Sequence, residues 1–368
     1  MEDRQSCRCS EFGVDRRHAH PAAAMSSARP SAVGGWYRSV PRYTPAMTAL
    51  VIALVALMGM TNSSSASAQS PPDSAFIDVH GVRLHYVTWG GKGDPLILVP
   101  ARCDSPFVFG DLAPLSTGSY SVYSVTARGC GSSGQARDGY SLDVQVRELV
   151  GFLDALGIER AAFAGHSASG GKVLRLARAF PSRVTSIVAL DIIYAGVPDK
   201  FEAGMQEAID AGAPSAEGPL ERHRREFKAW ELGTWSPSLE RDLLEQTEAD
   251  ASGRRRFRPP ADGWMRDFVS DVKAGLYHEQ PTTHPTLFIV AEDLDLYRVR
   301  QLQLGYQATL EPMAREIQRA RRVQLDGYRR SGARVQVIAL RGASHYLFVD
   351  RSRDVAKHMV TFLAQARR

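Results

Sequence analysis

The segment Ala161-Ala162-Phe163-Ala164-Gly165-His166-Ser167-Ala168-Ser169-Gly170 passes from a short apolar run directly into a turn of small residues. Beyond it Val173, Leu174, Leu176, Ala177 and Phe180 recur at helical spacing, and Pro181 closes the pattern. This reads as a strand joined to a helix by a tight turn, with Ser167 at the apex. A serine so placed is driven out at the top of a sheet, and small residues two positions either side let the backbone cross closely. Gly165 fills one of those positions. Ser169 fills the other in place of a second glycine and keeps the steric requirement. The backbone N–H of Ala168 then stands at the helix N-terminus, suited to holding an oxyanion. The plain alternative is a loop serine serving as an ordinary helix N-cap. Context has to decide between the two.

Outward from this turn the chain alternates. Phe76-Ile77-Asp78-Val79 leads through His80-Gly81 into Val82-Arg83-Leu84-His85-Tyr86-Val87, a hairpin whose second strand is half buried. Leu96-Ile97-Leu98-Val99 is a continuous apolar run, the mark of a strand buried on both faces. Ser121 to Val125 is a further strand and ends in the turn Arg128-Gly129-Cys130-Gly131. Ser141 is predicted to cap a helix carrying Leu142, Val146, Leu149, Leu153 and Leu156, stopped by Gly157. Ile187 to Leu190 is a strand ending at Asp191. Thr286 to Val290, a helical segment around Leu302–Tyr328, the strand Val335 to Leu340 and a helix from Asp354 to Gln365 complete the pattern. Such alternation implies parallel βαβ units, hence an α/β fold whose mostly parallel sheet is covered by helices. Between residues 192 and 283 the alternation breaks into a charged stretch carrying Trp230, Trp235 and Trp264. The expected division is a core of residues 69–191 and 284–368 with a helical cap inserted at 192–283.

Composition excludes some partners. The net charge is +5, but residues 1–68 hold seven Arg against four acidic residues, leaving only +2 for the remainder. Arg254-Arg255-Arg256 and the arginines between 319 and 330 read as solvated faces, so no nucleic-acid partner is expected. Residues 1–68 look like a targeting segment. Arg38 and Arg42 precede the apolar run Ala46 to Met60, and Ala66-Ser67-Ala68 forms a small-x-small cleavage pattern before Gln69. The expectation is a signal peptide and export to the periplasm or medium, with no stable membrane insertion after its removal. The alternative is an anchor at residues 46–60, a run short for a bilayer. Cys7 and Cys9, with His18 and His20, match no common zinc spacing, and no metal is expected.

Four motifs in order resemble the α/β-hydrolase family over most of residues 76–365. Leu96 to Arg102 resembles the strand and turn carrying the first oxyanion donor, and Val122 to Ser133 the next strand and its glycine-rich turn. Gly165 to Gly170 resembles the nucleophile elbow, and Gly342-Ala343-Ser344-His345-Tyr346 the turn that presents the histidine. The resemblance implies an eight-stranded, mostly parallel sheet and a Ser-His-Asp triad needing no metal or organic cofactor. In it Ser167 is the nucleophile and His345 the base, with the N–H groups of Arg102 and Ala168 forming the oxyanion hole. Many members carry His-Gly where this chain has Pro100-Ala101, which alters the first donor's turn. A serine at the elbow points away from dehalogenases and epoxide hydrolases, which in this fold use aspartate there. The substrate implied is a small acyl compound, an ester first. Cleavage of a carbon–carbon or amide bond by the same triad, and a ligand-binding member without catalysis, are the rivals.

The triad acid stays open at this point. Asp191 directly follows the sixth strand, a position used in one variant of the family. In most members the acid lies a few residues beyond the seventh strand, where Asp293 is one residue short of the usual register and Asp295 one residue long. In the resembled fold the strands before Cys103 and Cys130 are neighbours. A bridge between these cysteines and a pair of partly buried thiols are both open.

Overall fold

The structure is a computed structural model that describes residues 72–101, 103–192, 219–230, 233–258, 263–277, 282–292, 319, 322–331 and 334–367. The candidate signal segment, Arg102, Asp293 and Asp295, and most of the segment around Leu302–Tyr328 lie outside the described residues.

Alternation and turn chemistry build the sheet from its first edge. β1 (Asp73–Val79) and β2 (Val82–Gly90) pair antiparallel, with Val79 opposite Val82. The two residues between them, His80 (φ 49°) and Gly81 (φ 78°), both take the left-handed conformation that a two-residue hairpin turn demands. The chain then forms β3 (Asp94–Val99), β4 (Tyr120–Val125), β5 (Ala161–His166), β6 (Val184–Leu190), β9 (Thr286–Ala291) and β10 (Val335–Leu340). These make an eight-stranded sheet in the order β1-β2-β4-β3-β5-β6-β9-β10. Only the β1–β2 and β2–β4 pairs are antiparallel.

The apolar runs explain why the middle of the sheet is covered on both faces. Successive side chains of a strand point to opposite faces. In β3, Ile97 and Val99 enter one core while Leu96 and Leu98 enter the other. β5, β6 and β9 do the same with Phe163 against Ala162 and Ala164, Ile187 against Val188, and Phe288 against Leu287. The first core is closed by the helices Leu142–Ala155 and Ala168–Ala179, and the second by the last helix, Ser352–Ala366, which buries Val355, Met359 and Phe362.

Between β6 and β9 the described chain holds three helices, Pro219–Trp230, Pro237–Glu245 and Trp264–Lys273. It also holds a small hairpin that the sequence did not suggest, β7 (Thr247–Ala249) with β8 (Arg255–Phe257). Its strands are too short to leave an alternating signal. The hairpin is turned instead by Asp250, whose carboxylate accepts from the backbone N–H of Ser252 (2.9 Å) and Arg254 (3.0 Å). Arg254 and Arg256 of the basic run are exposed and paired with Asp250 and Glu248. Among the described residues no helix is long and apolar enough to cross a membrane.

One expected cap works differently. Ser141 occupies the N-cap position of the helix Leu142–Ala155, but its side chain makes no capping bond. The Leu142 N–H donates to Asp271 Oδ2 at 2.6 Å, and the Tyr140 N–H to Asp267 Oδ2 at 3.1 Å. Both carboxylates come from the helix Trp264–Lys273, so the inserted segment supplies the cap. A local sequence pattern carries no sign of a partner 129 positions away. Burial pushes the Asp271 carboxyl above its ordinary range, and the Leu142 N–H opposes that shift.

Cys103 and Cys130 form a disulfide with a Cα separation of 4.8 Å, across 27 positions of sequence. Reducing it should lower the unfolding free energy by about 3–4 kcal/mol, by the chain-entropy account of a loop of that length. Denaturant titration with and without dithiothreitol checks this. In the same assay Asp271→Ala should cost about 1–2 kcal/mol, the cost of stripping a buried helix start of its cap.

Candidate active site

The site grows from the turn at the end of β5. Ser167 sits at φ 54°, ψ −123°, a conformation that side-chain-bearing residues rarely adopt. It is held there by its own N–H donating to Leu190 O (2.9 Å) and by the Gly170 N–H donating to its carbonyl (3.0 Å). A β-carbon on residue 165 would collide with the Ser169 carbonyl oxygen, so only glycine allows the strand to pass beneath the helix. The Ser167 side chain makes no N-capping bond, which removes the plain structural alternative for this serine.

The histidine arrives from the turn after β10. Gly342 turns the chain at φ 62°, and the Ser344 N–H donates to Asp350 Oδ2 at 2.8 Å. The next residue, His345, has Nε2 3.0 Å from Ser167 Oγ and Nδ1 2.7 Å from Asp191 Oδ2. Asp191 follows β6 directly and is itself fixed. Its other oxygen accepts from the Ala291 N–H (3.0 Å), and its own N–H donates to Ile289 O (2.8 Å). A carboxylate accepting from Nδ1–H leaves Nε2 free of a proton and facing the serine hydroxyl. Of the carboxylates weighed from sequence, Asp191 is thus in line with Ser167 and His345.

His166 does more than its place in the turn suggested. Its Nε2 donates to the His345 carbonyl at 3.0 Å, and its ring lies 4.6 Å from the His345 ring and 4.8 Å from that of Phe348. Its position next to Ser167 was the only available signal.

The turn after β3 shows how the chain accommodates the departures noted from the resembled pattern. Ser169 Oγ donates to Pro100 O at 2.6 Å, with both residues buried. The serine that replaces a glycine therefore binds the proline turn that replaces His-Gly. Residues flanking position 102 are held from several sides. Cys103 is bridged to Cys130, Asp104 accepts from the Tyr346 hydroxyl (3.0 Å), and the Ser105 N–H donates to Asp242 Oδ1 (2.6 Å). Asp242 belongs to the inserted helix Pro237–Glu245. Burial first, and the neighbouring Asp104 second, hold its carboxyl well above the usual carboxylate range. Ala168, the other donor named from sequence, opens the helix at Ser167 and is buried. Phe227 of the helix Pro219–Trp230 packs on Tyr346 and Trp235 with ring centroids 4.9 and 5.5 Å apart, and the Tyr346 ring lies 5.8 Å from that of His345.

The sequence matches the α/β-hydrolase family over residues 79–358. The chain belongs to that family. This α/β-hydrolase is 26% identical to the bifunctional epoxide hydrolase 2 of Sus scrofa over 235 residues, 62% of this chain and 39% of that protein. It is 29% identical to the N-formylmaleamate deformylase of Pseudomonas putida over 116 residues, 31% of this chain and 43% of that enzyme. The chain therefore spans less than half the length of these relatives. Among solved structures, E-2-(acetamidomethylene)succinate hydrolase superposes with a TM-score of 0.60 at 17% identity, covering 80% of this hydrolase and all of that chain, a likeness of fold.

Ser169→Ala removes only the tie to the Pro100 carbonyl. Hydrolytic turnover should fall about tenfold in kcat with KM little changed, as for the loss of one buried hydrogen bond beside the site. Steady-state kinetics of the purified variant check it.

Proposed function

We propose that this α/β-hydrolase cleaves a carboxylic ester, or a closely related acyl compound, through an acyl-enzyme, and that it does so outside the cytoplasm. The observation that carries the reading is the unbroken line Ser167 Oγ, His345 Nε2, His345 Nδ1, Asp191 Oδ2, with steps of 3.0 and 2.7 Å between residues. A serine hydroxyl is a weak nucleophile until a base takes its proton. In this reading Nε2 of His345 takes it as Oγ attacks the acyl carbon, and Asp191 stabilises the imidazolium that forms. The Ala168 N–H and, from the preceding turn, the Arg102 N–H receive the oxyanion. His345 then protonates the leaving oxygen, and a water activated by the same imidazole releases the acid and restores the serine.

The relatives named epoxide hydrolase do not change this reading. Ser167 stands where the resemblance puts an aspartate in epoxide-opening members, and a neutral hydroxyl next to an imidazole suits acyl transfer. A second reading, an amide substrate, is favoured by the likeness to N-formylmaleamate deformylase. The same triad serves it if His345 protonates a leaving nitrogen. The aromatic wall of Phe227, Trp235 and Tyr346 favours a substrate with an apolar portion. Export draws support from the Arg38, Arg42 and Ala46 to Met60 pattern and from the Cys103–Cys130 bridge, since disulfides persist in oxidising compartments.

Treatment with a fluorophosphonate, followed by peptide mapping, should place a single adduct on Ser167, absent in Ser167→Ala and suppressed in His345→Ala. An unmodified folded protein would leave the ligand-binding rival in its place. Asp191→Asn should reduce kcat by about 10³–10⁴ while the fold persists. A loss of under tenfold would remove Asp191 from the role.

A further inference from the structure

Behind the oxyanion turn lies a charged cluster that the proposed reaction does not use. Lys172, one turn into the helix that begins at the elbow, is 6% exposed, and no hydrogen bond to its ammonium occurs among the described residues. It lines a small cavity of about 20 Å³, enough for one water-sized guest, together with Pro100 of the oxyanion turn, Thr126, Gln145 and Glu148. Glu148 cannot neutralise it alone. That carboxylate is already engaged by Arg128, whose Nε and Nη2 both lie 2.7 Å from Oε1, with both side chains buried. Two cations and one anion therefore share the interior.

The helix Leu142–Ala155 presents Glu148 and Gln145, and the turn after β4 presents Thr126 and Arg128. β3 presents only Val99 and Pro100. His85 of β2 is hydrogen-bonded to Thr126 (3.1 Å) with Glu245 3.7 Å from its Nδ1, and Tyr277 of the segment between β6 and β9 lies against Gly171. Burial depresses the basicity of His85, which favours its neutral form, so it adds no charge. A buried, incompletely compensated ammonium is costly to the fold. Its position beside the turn that precedes Arg102 gives that cost a use.

We propose that Lys172 is a positioning residue for acyl transfer: its enclosed ammonium sets positive charge behind the oxyanion turn at Pro100 and strengthens the hold on the tetrahedral oxyanion. The proposal rests on the serine-hydrolase reading above. In a low-dielectric site a fixed charge acts over more than contact distance. Burial lowers the Lys172 pKa to about 8, opposed by Glu148. The ammonium is therefore present at neutral pH and is lost as pH rises through that value. A His-based triad alone holds its rate on the alkaline side, so a fall there is the signature.

The test is the rate of fluorophosphonate labelling of Ser167, and kcat for p-nitrophenyl acetate, from pH 6 to 9.5. In the wild-type protein both should fall about tenfold with a midpoint near 8. Lys172→Met and Lys172→Gln should be about tenfold slower than wild type at pH 7, with KM unchanged and no alkaline fall. A wild-type rate that stays level to pH 9.5 overturns the proposal even if neither variant folds. So do variants that keep the wild-type rate at pH 7 or the wild-type alkaline fall. Wild-type protein inert to the fluorophosphonate at every pH would instead overturn the hydrolase reading, and this proposal with it.

Discussion

The crossing of β5 beneath the first turn of the helix that follows it is the constraint on which the rest of the site depends. Gly165 must be bare because the Ser169 carbonyl occupies the space of a side chain, and the chain can then turn only by putting Ser167 at φ 54°. The strain is carried by the packing around it. β5 is buried on both faces between β3 and β6, and the helix behind it buries nine of its twelve residues. Sheet and helix together over-determine the turn, which is the condition for a strained residue to persist. Everything else converges on that apex. Asp191 directly follows β6 and the turn after β10 delivers His345, two points 154 positions apart in sequence that meet at 2.7 Å.

A second principle concerns how the inserted segment is fastened. Its attachments to the core are directional as well as apolar. Asp242 accepts the Ser105 N–H in the turn after β3, and Asp267 and Asp271 accept the N–H groups of Tyr140 and Leu142 at a helix start. Ser236 donates to Asp111 at 2.7 Å, and the Arg241 guanidinium lies 3.6 Å over the Phe107 ring. Buried N–H groups of the core are thereby satisfied by carboxylates of the insertion. The insertion is thus coupled to the geometry of the site as well as to its walls.

The sequence carried the sheet because a strand buried on both faces must be apolar along its length, as Leu96 to Val99 and Leu287 to Val290 are. It put Ser167 and His345 each on the turn after a strand, and the structure brings the two side chains to 3.0 Å. It left the acid open, since Asp191, Asp293 and Asp295 each follow a strand; among the described residues it is Asp191 that meets His345 Nδ1. The remaining gaps share one cause. The capping by Asp271, the Ser169–Pro100 tie and the grip of His166 on the His345 carbonyl join residues 129, 69 and 179 positions apart, beyond any local pattern. The hairpin β7–β8 was missed because three-residue strands leave no period to read.

The central claim is that Ser167, His345 and Asp191 act as one unit. Groups that act as a unit do not lose rate additively. The direct measurement is kcat for an ester in Ser167→Ala, Asp191→Asn and the double variant. The account predicts that the double variant is no slower than Ser167→Ala alone, because Asp191 acts only through the histidine that activates the serine. A double variant slower by the product of the two single losses would show that Asp191 and Ser167 act independently, and it would contradict the account.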